Sequence, residues 1–184
     1  MKFSGRNWVN NWLPSREQAV QLLQKTKCPP QVISHCLAVS ELALELANQL
    51  RKRGLELDSQ LVEVGAILHD IGRSESQGVD HSVVGSQIAK SLNLPESLVN
   101  IIKRHVGAGV TEEEAKEMGW PEDSYVPQTL EEKIVAYADK RIDKGKKVPI
   151  EIEIKRLQDK NKPEAAERVR NLHDEITSLL GKKQ

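Results

Sequence analysis

The sequence predicts an all-α fold, and three observations carry that expectation. Apolar residues recur at three- and four-residue steps through most of the chain. Residue usage leans to the helix formers Leu, Ala, Glu, Lys and Gln. Only Ile150 to Ile154 alternates with the period of a strand, and a lone strand has no partner. The expected architecture is a compact multi-helix bundle with charged C-terminal helices as a cover.

The elements follow in chain order. Pro14 and Ser15 open the first helix, with Ser15 as N-cap and Gln18 as its capping-box partner, and Cys28-Pro29-Pro30 ends it. A long helix runs from about Gln31 to Arg53, with His35, Val39, Leu42, Leu46 and Leu50 on one face and Gly54 as C-cap. Asp58 starts a helix that is apolar nearly all round, hence central and buried, and it ends at His69-Asp70-Ile71-Gly72. After a polar loop, helices run from about His81 to Ser91 and from Glu96 to Val106, separated by Leu94-Pro95. Gly107 to Gly109 reads as a loop, Thr111 as the cap of a short acidic helix, and Trp120 to Pro127 as irregular. Leu130 to Arg141 is helical, Gly145 to Pro149 is a basic turn, and two charged helices span about Ile150 to Asp159 and Pro163 to Leu180.

The 184 residues suit one domain with appendages: an arm over 1–14, a main domain over 15–145 and a helical extension packed on it over 146–184. Phe3, Trp8, Trp12 and Leu13 lie among polar residues in the arm, which reads as packed on the domain surface. Lys+Arg and Asp+Glu are each 27, so the balanced charge argues against a duplex nucleic-acid binder. It leaves room for a small phosphorylated substrate, which needs only two or three local cations. No run of eighteen apolar residues and no signal-peptide core occur, so the expectation is a cytoplasmic chain with no membrane partner. Cys28 and Cys36 are not in a C-x-x-C spacing and read as small buried hydrophobes. The charged last helices could pair in a homodimer. His173 reads as exposed and far from any site, and Glu112 to Glu114 as an acidic turn that suits the helix dipole.

Four of the five histidines fall between positions 35 and 105. One histidine on an apolar face is ordinarily a satisfied core residue. His69-Asp70, however, terminates the most apolar helix, where a carboxylate is costly unless paired or metal-bound. Asp139 repeats that pattern after Ala136, Tyr137 and Ala138. Three apolar helices carrying His35, His69-Asp70 and Asp139 could converge them, and imidazole with carboxylate is a ligand set for a first-row divalent metal.

The pattern of His35, then Leu68-His69-Asp70-Ile71-Gly72, then Ala138-Asp139-Lys140 resembles the HD superfamily of metal-dependent phosphohydrolases, whose motif is H…HD…D. The resemblance covers roughly residues 30 to 143. His81 and His105 extend it to the H…HD…H…H…D variant. It implies one metal at His35, His69, Asp70 and Asp139, and a second at Asp70, His81 and His105. The implied cofactor is Fe, Mn, Co or Ni, as one ion or two. The implied reaction is hydrolysis of a nucleotide or related small phosphoester by metal-activated water, with Asp70 as a ligand rather than a base.

Developing phosphoryl charge needs cations. Arg73, three residues past Asp70, is the first choice for catalysis and substrate binding, in a place where related enzymes commonly carry Lys. Lys140 is the second choice, and Lys103 and Arg104 beside His105 could also help. The motifs of P-loop enzymes, zinc proteases and serine hydrolases are absent. Two rival readings remain: a non-catalytic nucleotide-sensing or regulatory module that keeps the metal, and a plain helical interaction protein.

Overall fold

A computed structural model describes residues 12–181. Phe3 and Trp8 of the arm lie outside the described residues. Within them the chain is α-helical, with one two-stranded hairpin, which meets the all-α expectation.

The helices are α1 (Arg16–Lys25), α2 (Pro30–Lys52), α3 (Ser59–Leu68), α4 (His81–Ser91), α5 (Glu96–Arg104), α6 (Glu112–Glu117), α7 (Leu130–Lys140), α8 (Ile150–Asp159) and α9 (Pro163–Leu179). Short 3-10 turns cover Ile71–Ser74 and Val106–Ala108. Local chemistry sets several starts. Ser15 and Gln18 close a capping box on α1, and Thr111 and Glu114 close one on α6. The Asp58 carboxylate accepts from the Gln60 and Leu61 amides at 2.9 and 3.0 Å, capping α3. Pro30 and Pro163 occupy first-turn positions, where a missing N–H costs nothing.

Helix α3 is the hub. Its Val62, Val64, Ala66, Ile67 and Leu68 are fully buried, as a helix apolar all round requires. It packs against α1, α2, α5 and α7. Two apolar clusters lie on either side of it. One joins α2 and α7 to α8 and α9 through Leu42, Leu46, Tyr137, Ile154 and Ile176. The other joins α1 to α5 through Leu23, Ile67, Leu68, Leu98 and Ile102, with Leu13 packed against it.

Ile150–Asp159 is helical as expected: Ile150 and Ile154, four residues apart, face the core while Ile152 faces solvent, so burial overrides the local period of two. The structure corrects three other readings. The turn over 145–149 belongs to a hairpin, in which β1 (Ile142–Asp143) pairs antiparallel with β2 (Lys146–Lys147). Helix α5 ends at Arg104, and Val106–Ala108 form a separate 3-10 turn with Gly107 inside it at φ +60°. His173 is half-buried, with its Nδ1 2.9 Å from the Tyr137 hydroxyl, because α9 packs on α7.

Candidate metal centre

Three histidines are seated by one local device. His69 Nδ1 lies 2.7 Å from the Ala66 carbonyl, His81 Nδ1 2.7 Å from that of Gly78, and His105 Nδ1 2.8 Å from that of Ile102. A carbonyl only accepts, so each Nδ1 carries the proton and donates it. In the neutral ring each Nε2 then presents a lone pair to the middle of the bundle. This is the second-shell arrangement that orients imidazoles toward a metal.

The six residues singled out from sequence converge. His35 comes from α2, His69 and Asp70 from the end of α3, His81 from the start of α4, His105 from the end of α5, and Asp139 from α7. Asp70 stands between two sets of donors. Its Oδ1 lies 3.0 Å from His81 Nε2 and 3.5 Å from His105 Nε2, while its Oδ2 lies 3.7 Å from His69 Nε2. Asp139 Oδ1 lies 2.9 Å from His35 Nε2 and 3.5 Å from His69 Nε2. Ligand atoms of His35, His69 and Asp70 fall within 4.8 Å of one another, as do those of Asp70, His81 and His105, and of His69, His105 and Asp139.

These donors ask for a cation. His69 Nε2 is buried without a hydrogen-bond partner. His81 Nε2 and His105 Nε2 are 3.0 Å apart although both rings already donate from Nδ1. Burial pushes His105 down to about 4, so near neutral pH its Nε2 is a bare lone pair. At His69 burial works against charge, but Cys36, Asp70 and Asp139 outweigh it and hold the imidazole above its ordinary value. Burial likewise opposes ionisation of both aspartates. At Asp70 the His69, His105 and His81 rings prevail, and at Asp139 the Lys140 ammonium and the His35 and His69 rings do. Both carboxyls are held well below the usual range. Converging lone pairs and carboxylates with an orphaned buried nitrogen fit a divalent metal better than they fit a plain core.

Backbone closeness assembles this centre. A Cβ on Gly72 would overlap the His81 carbonyl oxygen and stand 2.6 Å from the Gly85 amide. Only glycine lets the 3-10 turn after Asp70 press against α4 and bring His81 to Asp70.

The centre floors a cleft of about 610 Å³. Arg73 lines it, with Nε 3.4 Å from Asp70 Oδ1 and Nη1 donating to the Gln77 carbonyl at 2.8 Å. Lys140 lines it too, with Nζ 2.6 Å from Asp139 Oδ2. Lys103 and Arg104 do not. Both are buried on the far side of α5, where Lys103 pairs with Asp123 at 2.6 Å and Arg104 with Glu132 at 2.9 Å. That removes them from the cations that could help at the phosphate, because adjacent positions on a helix diverge by about 100°. Sequence reading also missed the cleft walls: Trp120 on one side, and Arg156, Lys160, Lys162 and Arg168 of α8, α9 and the turn between them on another. No local signal marks them, since only packing brings them over the histidines.

A family model described as HD domain matches residues 32–142. The chain is 48% identical over 167 residues to an uncharacterized protein of Methanocaldococcus jannaschii, covering 89% of this chain and 98% of that protein. It is 35% identical over 171 residues to a tRNA (cytidine(56)-2'-O)-methyltransferase of Picrophilus torridus, covering 93% of this chain. It spans about half, 49%, of that relative's length. Among solved structures the fold is similar to the HD domain of the L. monocytogenes phosphodiesterase PgpH in complex with cyclic-di-AMP, with 20% identity and a TM-score of 0.55 over 88% of this chain and 96% of that one.

Proposed function

Because this chain belongs to the HD-domain family, we propose that it is a metal-dependent phosphohydrolase acting on a nucleotide or a related small phosphoester. The observation that carries the reading is Asp70, a single carboxylate with one oxygen facing His81 and His105 and the other facing His69. In this reading His35, His69, Asp70 and Asp139 would hold one divalent ion, and Asp70, His81 and His105 would hold a second. Ions held there would supply Lewis acidity and an activated water at neutral pH.

The residues around them do the rest. Nδ1 donation to backbone carbonyls fixes three imidazoles in direction and leaves Nε2 as the atom turned toward the centre. Asp70 and Asp139 are ionised ligands, so neither serves as a general base. Arg73 stands at the lip beside Asp70, where its guanidinium can meet the equatorial oxygens of a phosphoryl group as their charge grows. Lys140 balances Asp139 and adds a second cation within reach of the cleft. A nucleotide fits the cleft's size, and a fold neighbour is a phosphodiesterase complexed with a cyclic dinucleotide.

The test is hydrolysis by protein loaded with Fe, Mn, Co or Ni, run on panels of nucleotide monoesters, diesters and generic phosphoesters. His69→Ala removes the most buried donor and should abolish turnover. Activity that survives this change sinks the reading, and tight nucleotide binding without turnover under every metal would favour a sensing module instead.

A further inference from the structure

We propose that Trp120 is a stacking platform for the nucleobase of the substrate and so makes the cleft specific for nucleotides over simple phosphoesters. This rests on the phosphohydrolase reading above.

The cleft has walls of different chemistry. On the side of His81 and His105 it is lined by Val79, Val106, Val110, Met118 and Trp120. Elsewhere it is lined largely by charged residues of α8 and α9. Among the described residues Trp120 is the one of Phe, Trp or Tyr type that lines it, in a chain with only six such residues among 184.

The ring is held from behind. Trp120 packs edge to face on Tyr125, with centroids 5.0 Å apart and planes at 63°. Tyr125 is itself buried, donates its hydroxyl to the Pro121 carbonyl at 2.9 Å and pairs its backbone with Val110. The Trp120 amide donates to the Ala115 carbonyl at 2.9 Å, closing the end of α6. A small apolar cluster of Val83, Val110, Ala115 and Tyr125 therefore fixes the indole, which is partly buried and lines the cleft.

Met118 and Val79 line the same cleft and are 40% and 48% exposed. A fixed, partly open indole, in a cleft that also carries exposed apolar side chains and is floored by phosphate-seeking groups, matches a flat heteroaromatic ring joined to a phosphate. Burying that face removes apolar area from water, and stacking adds to it. A substrate without a base would leave the shelf wet and gain nothing from it.

The test separates base recognition from phosphate recognition and needs no turnover. The metal-supplemented full chain is titrated calorimetrically with two non-hydrolysable probes: the methylenephosphonate analogue of adenosine monophosphate, and methylphosphonate. Trp120→Ala should weaken the nucleotide analogue about ten- to a hundredfold, leave methylphosphonate unchanged, and be rescued largely by Trp120→Phe. Should Trp120→Ala fail to fold, Trp120→Leu keeps an apolar contact with Tyr125 without a π face and carries the same comparison. Equal weakening of both probes, an unchanged nucleotide analogue, or a parent chain that binds the two probes equally overturns the proposal. If no phosphoester is hydrolysed but the selective loss is seen, the base platform stands while the phosphohydrolase reading falls.

Discussion

Gly72 presses its backbone against the carbonyl of His81, leaving no room for a side chain between the turn after Asp70 and the first turn of α4. The contact fixes how far His81 Nε2 stands from Asp70 Oδ1, which is 3.0 Å. Gly72→Ala must push backbone against backbone, so it should cost about 1–3 kcal/mol as overpacking does. It should also lower occupancy at the His81 and His105 side of the centre more than at the Asp139 side. Denaturant unfolding and elemental analysis of the variant check the two effects.

Metal stoichiometry is the second prediction. Two of the three donor groups, one with His35 and His69 and one with His81 and His105, share Asp70, so purified protein should carry two divalent ions per chain. His105→Ala should lose one ion, and Asp70→Asn should weaken both. At a free-ion excess of a hundredfold over Kd, each site stabilises the fold by about 2.7 kcal/mol, so chelation should lower Tm by several degrees. A single ion that survives His105→Ala and His81→Ala would remove those two histidines from the ligand set.

Arg104 and Glu132 form the third. Arg104 Nη1 donates to both Glu132 oxygens at 2.9 and 3.0 Å, and Glu132 also accepts from the Gln128 amide at 2.7 Å. Both residues are buried. Glu132→Ala strands a guanidinium that cannot deprotonate, and should destabilise by about 3–5 kcal/mol. Replacing both partners with apolar residues should cost much less. Chemical denaturation of the single and double variants measures the difference.

The fourth concerns acid. Burial works against charge on Glu114, but the Thr111 amide and the Arg168 guanidinium outweigh it, so its carboxyl titrates below its ordinary value. Arg168 Nη2 reaches both oxygens at 2.8 Å and ties α9 to α6. A folded pKa below the unfolded one means this stability is fully present above about pH 4.3 and is lost as pH falls through the folded value. The pair is partly open to solvent, so the effect should be no more than about 1 kcal/mol. Glu114→Gln should lower stability near pH 7 by up to that amount, leave it unchanged at low pH, and so flatten the acid limb of the stability curve.

The helices and the candidate ligand residues were readable from the chain because both signals are local or ordered along it. Capping pairs such as Ser15 with Gln18 act over three residues, and the all-round apolar run of α3 announces a central helix wherever it docks. His35, His69-Asp70, His81, His105 and Asp139 each sit at a helix face or end that packing could turn inward. What the chain could not disclose is which neighbours meet across the fold. Lys103 and Arg104 adjoin His105 yet point away from the cleft, whereas Trp120, Lys160 and Arg168 are remote in sequence and wall it. Spacing predicts the direction of a side chain only within its own helix, while the cleft is bounded by several elements whose mutual placement is decided by burial of Leu46, Ile154 and Ile176 in one shared core.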